Sequence, residues 1–169
     1  RAGDILVSLG GKPAAVVNRL PGSSPLQPEP VHCAALGTQL AHMHLAGQDF
    51  EREQPNLRGL PWWNETAPLV YPHLDSAQSA LLQSELAYQN HIAASAEYQA
   101  LPRGPVHADL FRDNAIFEGE KLSGCFDFYF AGVDTWLFDL CVCLNDWAIT
   151  HADGLHEPQR AQALLDAYQ

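Results

Sequence analysis

With 169 residues, nearly half of them apolar (47%), the chain can bury the core of one ordinary domain or of one large lobe of a two-lobed enzyme, which excludes an intrinsically disordered segment. Nine Lys and Arg against 20 Asp and Glu give a formal charge of −11, and so little clustered positive charge argues against nucleic acid or an anionic membrane as partner. A polyphosphate ligand is compatible with that charge only if divalent cations bridge it.

Taken in order, Asp4–Leu9 and Ala14–Leu20 are short β-prone runs, and Gly10-Gly11-Lys12-Pro13 between them predicts a hairpin turn. Residues 21–30 carry Pro21, Pro25, Pro28 and Pro30, which rules out helix or central strand and predicts a loop or hinge. From Val31 to about Ala46 the apolar residues Leu36, Leu40 and Met43 recur at helical spacing, with Gly47 as the stop. His42 and His44 lie two apart on that helix and point in different directions, so they cannot readily chelate one ion together. Gln48–Tyr71, with Arg58, Trp62 and Trp63, shows no clear period and predicts an irregular connection packed by the tryptophans; the alternative is a pocket lining with Arg58 as an anion ligand.

Asp75-Ser76 opens a long helix that should run to about Ala100 with Leu82, Leu86 and Ala93 on one face, ended by Leu101–Pro105. After Val106 and His107–Asn114 come two short strands joined by a tight turn at Glu118–Lys121. A helix over Trp136–Ile149 should turn Leu137, Leu140, Leu144 and Trp147 or Ala148 inward. A last helix begins near Glu157, with Pro158 in its first turn, and carries Leu164, Leu165 and Tyr168. The expected fold class is α+β and mainly helical.

Cys33, Cys125, Cys141 and Cys143 have no disulfide or zinc spacing and are expected to be reduced and buried; Cys141-x-Cys143 on a helix faces two ways and cannot open a zinc site. No apolar run approaches the roughly 20 residues of a membrane span, and the N-terminus has no signal-peptide pattern. A cytoplasmic setting is the default expectation.

The chemistry is concentrated in His107-Ala108-Asp109-Leu110-Phe111-Arg112-Asp113-Asn114 and Cys125-Phe126-Asp127-Phe128. A buried Asp taken alone often does no more than accept backbone N–H bonds. The combination is different: phosphoryl transfer needs one carboxylate to accept the proton of the attacking hydroxyl, and an amide oxygen with a second carboxylate to hold magnesium. Asp109, Asn114 and Asp127 are the candidates for those roles, with Asn114 starting one strand and Asp127 ending its partner.

His107-x-Asp109-x-x-x-x-Asn114 with Asp127-Phe128 resembles the catalytic loop and metal-binding motif of the aminoglycoside phosphotransferase and choline kinase group, relatives of the protein kinases. Ala108 and Phe111 stand where protein kinases carry Arg and Lys, which favours the small-molecule kinases. Within the group, Asp109–Asn114, Asp127–Ala131, Asp139-Leu140 and Asn145-Asp146-Trp147 are most similar to the bacterial homoserine kinases, and the resemblance reaches back to Gly37–His44 and Asn56–Gly59.

The resemblance implies an ATP-dependent, magnesium-dependent kinase acting on a small-molecule amino alcohol. Homoserine is the favoured acceptor; a choline-type or aminoglycoside-type acceptor and a non-catalytic kinase-like binding protein are the alternatives. It implies Asp109 as catalytic base, Asn114 and Asp127 as magnesium ligands, and His107 and Asp139 as supports of the catalytic loop. A zwitterionic acceptor needs an anion ligand and a cation ligand, for which Arg112 or Arg58 with Asp146 are candidates; Tyr129 and Asn145 are left without a role. The family's small nucleotide-binding lobe is represented by one hairpin, and Lys12, in its turn, does not fill the family lysine's role. The expectation is therefore a fragment: residues 1–20 as a remnant of the small lobe, 21–30 as hinge, 31–169 as a truncated large lobe, inactive or nearly so alone.

Overall fold

Gly10 and Gly11, at φ +59° and +77°, turn the chain within two residues, so the first hairpin is tighter than its sequence suggests. In the computed structural model, which describes residues 6–169, strand β1 is Val7–Leu9 and β2 is Lys12–Ala14, with Leu9 opposite Lys12. Lys12 and Pro13 thus belong to a strand rather than the turn; Val16 and Val17 beyond it are unpaired and exposed. The start of the first β-prone run, at Asp4 and Ile5, lies outside the described residues.

Pro30 does not end the proline-rich segment but begins helix α1, Pro30–Ala46, where a missing N–H costs nothing. α1 buries Cys33, Leu36, Gly37, Leu40 and His44 along one stripe, while Met43 is only half-buried. The stretch expected to be irregular contains α2, Leu60–Val70, followed by a 3₁₀ turn at Tyr71–His73. Gly59 caps it and Pro61 sits in its first turn, so the first of its two prolines favours the helix; the second, Pro68, lies inside.

Helix α3, Ser76–Ala93, starts at a reciprocal cap in which Gln78 N donates to Asp75 Oδ1 at 2.8 Å and Asp75 N to Gln78 Oε1 at 3.2 Å. It stops earlier than expected because Ser95 turns extended and recaps a short α4, Ala96–Gln99. Two strands not foreseen, β3 (Arg103–Val106) and β6 (Gly132–Thr135), pair antiparallel. Between them in sequence lies the expected hairpin of β4 (Ala115–Glu118) and β5 (Lys121–Cys125), turned by Gly119 at φ +61°. Ser23 and Phe117 exchange both backbone bonds at 2.9 Å, laying the proline-rich segment along β4.

Helix α5, Trp136–Trp147, turns Asp139, Cys143 and Trp147 inward at i, i+4 and i+8. Leu137, expected inward, is exposed, and Leu140 and Leu144 are half-buried. α6, Pro158–Tyr168, buries Leu164 against α1, where Gly37 leaves room for the Leu164 carbonyl. The core joins Cys33, Leu36 and Leu40 to Leu110, Ala115, Phe117, Cys143, Trp147 and Leu164; each fully buried leucine contributes roughly 1.5–3 kcal/mol. All four cysteines are free, but only Cys33 and Cys143 are buried and Cys141 is exposed, contrary to expectation. No helix among the described residues is long and apolar enough to cross a membrane. The α+β class is as the sequence leads one to expect, with the catalytic motif between the β3–β6 pair and the β4–β5 hairpin.

Candidate active site

β3 ends at Val106, and the next residues bend sharply, with Ala108 at φ +64° despite its Cβ. A carboxylate from the core fixes that bend. Asp139, fully buried on α5, accepts from His107 N through Oδ2 and from Ala108 N through Oδ1, each at 2.7 Å. Behind it, His44 Nε2 lies 3.2 Å from Asp139 Oδ2, and His44 Nδ1 meets the Tyr168 hydroxyl at 2.7 Å. Asp139 only accepts, so Nε2 carries the hydrogen. The His44 ring lies parallel to Trp136 at 5.2 Å. Helices α1, α5 and α6 thus meet at one buried polar chain that ends on the loop backbone. Further along the loop, Leu110 O accepts from Trp147 Nε1 at 3.0 Å.

The His107 ring turns inward, donating from Nε2 to Phe126 O at 2.9 Å and packing on Phe128 at 4.4 Å between ring centres. It bridges the loop to the segment that carries Asp127. Its Nδ1 is buried and has no partner among the described residues.

Asp109 stands half-buried at the loop tip, where Asn114 Nδ2 donates to its backbone oxygen at 2.7 Å and, more weakly, to Oδ2 at 3.4 Å. Burial pushes the Asp109 carboxyl above its ordinary range, and the negative charges of Asp127 and Asp113 push the same way; His107 and the Asn114 bond pull it down without cancelling the rise. A carboxylate set higher is the better proton acceptor.

Asn114 closes a 3₁₀ turn at Arg112–Asn114 and leads into β4. Its carbonyl accepts from Phe126 N at 3.1 Å, which continues the hairpin pairing and brings Asn114 and Asp127 to the same end. Asp127 lies two residues beyond β5 rather than at its end, in the left-handed region at φ 64°, ψ 56°, and its side chain is exposed. Nδ2 serves Asp109, and among the described residues Asn114 Oδ1 has no hydrogen-bond donor, so with the Asp127 carboxylate it makes a hard oxygen donor pair. Among the described residues no group of three His, Cys, Asp or Glu gathers. One amide and one carboxylate fit magnesium, which keeps waters and substrate phosphates as its other ligands, and fit zinc poorly.

Arg112 departs from its expected place. It is buried, and its guanidinium is spent: Nε donates to Asp146 Oδ2 at 3.1 Å, Nη1 to Leu26 O at 2.9 Å, and Nη2 to Ile149 O at 2.9 Å and to the Asp146 carbonyl. Asp146 also accepts from Arg112 N at 2.7 Å and from His151 Nε2 at 3.1 Å. The pair anchors the loop to the end of α5 and to the 21–30 segment, so substrate contact through Arg112 is dropped. Arg58 is exposed and lies over the Trp62 and Phe130 rings. Tyr129 is exposed, and Asn145 lines a cavity of about 560 Å³ among α2, α3 and α5.

His44 and Tyr168 have no place in the motif read from sequence. The available signal was His44's position four residues after Leu40, on the stripe that faces the core; its partners lie 95 and 124 residues away.

The homoserine kinase of Polaromonas naphthalenivorans is 60% identical over 167 residues, covering 99% of this chain and 53% of that protein; the chain spans about half the length of the curated relatives it matches. Among solved structures, an aminoglycoside-3'-phosphotransferase of type VIII superposes with a TM-score of 0.64 at 22% identity, covering 96% of this chain and 64% of that one. An amicoumacin kinase in complex with AMP-PNP, Ca2+ and Ami gives 0.61 at 20% identity, covering 89% and 46%. These likenesses show the fold, that of the kinase-like phosphotransferases. The model of the phosphotransferase enzyme family matches residues 1–169, and the chain belongs to that family.

Proposed function

We propose that the intact protein transfers the γ-phosphoryl group of ATP, used with magnesium, to the hydroxyl of homoserine, giving O-phosphohomoserine. The observation that carries this reading is the 60% identity to a homoserine kinase over 99% of the chain. The site's chemistry supports it. Asp109 orients the acceptor hydroxyl and takes its proton as the new O–P bond forms and the bond from the γ-phosphorus to the ADP oxygen breaks. Asn114 Oδ1 and the Asp127 carboxylate would hold the magnesium ion, which when bound neutralises phosphate charge. Asp139, backed by His44, holds the loop so that Asp109 does not have to be ordered at each turnover. His107 ties the loop to the Asp127 segment.

In this reading residues 1–20 belong to a small nucleotide-binding lobe, 21–30 form the crossing, and 31–169 supply the acceptor and metal side. The reaction takes place in the cytoplasm with a small-molecule amino alcohol as partner.

The test is ADP release by the full-length protein against homoserine, choline and an aminoglycoside. Homoserine should give the highest kcat/KM, and absence of homoserine-dependent release would remove it as acceptor. In the same protein Asp109→Asn should lower kcat by about 10³-fold while calorimetry finds magnesium–nucleotide affinity within a few-fold of the original. Turnover retained by that variant would dismiss Asp109 as base.

A further inference from the structure

Arg58 places its cation over two aromatic rings. Its Cζ lies 4.7 Å from the Trp62 ring centre and 4.5 Å from that of Phe130. Among the described residues its guanidinium has no ion pair and no hydrogen bond, only its backbone N–H donating to Asn56 Oδ1 at 2.9 Å. Contact of the cation with the rings uses none of the five N–H groups, whose planar fork matches a carboxylate.

The segment that carries Arg58 is fixed relative to the candidate catalytic groups. Val133 N donates to Gln54 O at 2.7 Å, Gln54 Nε2 to Ala131 O at 2.7 Å, and Asn56 Nδ2 to Asp134 Oδ2 at 2.9 Å. Gly132 packs so closely on Asn56 that a Cβ there would stand 3.0 Å from its backbone. Residues 54–58 therefore ride on 131–134. Phe130, under the guanidinium, closes the 3₁₀ turn that Asp127 opens. The cation is thus held to the segment that presents Asp127, and by a different route from the loop that presents Asp109.

Charge makes this position selective. Asp109, Asp127 and a net charge of −11 repel the carboxylate end of a zwitterionic acceptor unless a local cation receives it. Arg112 is spent on Asp146 and backbone carbonyls, and Arg103 is paired with Asp134 at 3.3 Å. Arg58 has donors to give. An acceptor that is purely cationic, of the choline kind, would be repelled by it.

Resting on the phosphotransfer reading above, we infer that Arg58 is the specificity-determining residue that takes the acceptor's α-carboxylate, so that the substrate class is amino-acid alcohols rather than amino alcohols at large. The test uses the full-length protein, homoserine, and 3-aminopropan-1-ol, which is homoserine without its carboxylate. Arg58→Gln should lower kcat/KM for homoserine about 100-fold, chiefly through KM, while that for the cationic 3-aminopropan-1-ol, freed of the Arg58 charge, stays level or rises. Arg58→Lys, which keeps stem and charge but loses the fork, should lose homoserine preference at least fivefold and serves if the Gln variant does not fold. Equal losses on both acceptors, or no loss on homoserine, would overturn the assignment. An unmodified protein that turns over no homoserine removes the phosphotransfer reading and this assignment with it; one that does so, with Arg58→Gln unimpaired, removes this assignment alone.

Discussion

Ala108 holds φ at +64° although a Cβ in that region costs about 1–2 kcal/mol. The two 2.7 Å bonds from Asp139 to this backbone and its neighbour offset that cost and make the bend permanent. Ala108→Gly should therefore be neutral or stabilising by up to about 1 kcal/mol, because relief of the strain competes with the greater freedom of an unfolded glycine. Ala108→Val should destabilise by more than about 2 kcal/mol, since its branched side chain meets both the left-handed backbone and a buried site. Urea unfolding of the two variants gives the difference directly, and a Val variant as stable as the original would show that the bend is not as tightly held. At this scale the grouping of Asp109, Asn114 and Asp127 was legible from sequence, while their roles stay a proposal. Asp109, Asn114 and Asp127 are close together along the chain, and the chemistry they imply depends on type and spacing. His44 and the real task of Arg112 were not legible, because both depend on partners brought together only by the packing of α1, α5 and the 21–30 segment.

Between elements, α1 and α6 approach closely at Gly37, where an added Cβ would stand within clash distance, 2.2 Å, of the Leu164 carbonyl oxygen. Gly37→Ala should destabilise by about 2–3 kcal/mol, because the clash with fixed backbone outweighs the roughly 1 kcal/mol by which alanine favours a helix over glycine. Denaturant midpoints at constant slope would register it, and a stabilised variant would contradict the observed α1–α6 packing. The elements that the sequence concealed share a physical reason. α2 has prolines and tryptophans where a period would be sought, and it exists because Pro61 falls in its first turn. α3 and α4 share one apolar pattern, and only the extended backbone of Ser95 divides them. β3 and β6 are four residues each, include Gly and Pro, and are defined by pairing with each other rather than by local preference. On α5 the fully buried stripe is Asp139, Cys143 and the expected Trp147; Leu140 and Leu144 pack half-buried against the core as expected, and of the leucines only Leu137 faces out.

For the molecule as a whole, burial acts on the thiols and on one phenol in the same direction. Cys33 and Cys125 are pushed from 9.0 up to about 11, Cys143 is raised well above the usual thiol range, chiefly by burial, and Tyr168 is raised by burial and by the Asp139 charge. Each group is neutral when protonated and loses its proton more readily in the unfolded chain. The stabilising difference is intact below the unfolded pKa and is lost as pH rises through the folded one, so stability should fall from about pH 9 upward, by on the order of 2–3 kcal/mol for each thiol held near 11. Thermal melts between pH 8 and 11 test this, with Cys33→Ala showing a shallower alkaline decline; a flat profile would contradict the burial of these groups. The joining of α1 to α6 also has a consequence during synthesis. His44 and Tyr168 are 124 residues apart, so at roughly 5–20 residues per second the ribosome takes roughly 6–25 s to make the partner that completes the His44–Asp139 chain. Throughout that interval the nascent α1 carries its apolar stripe without Leu164 to cover it.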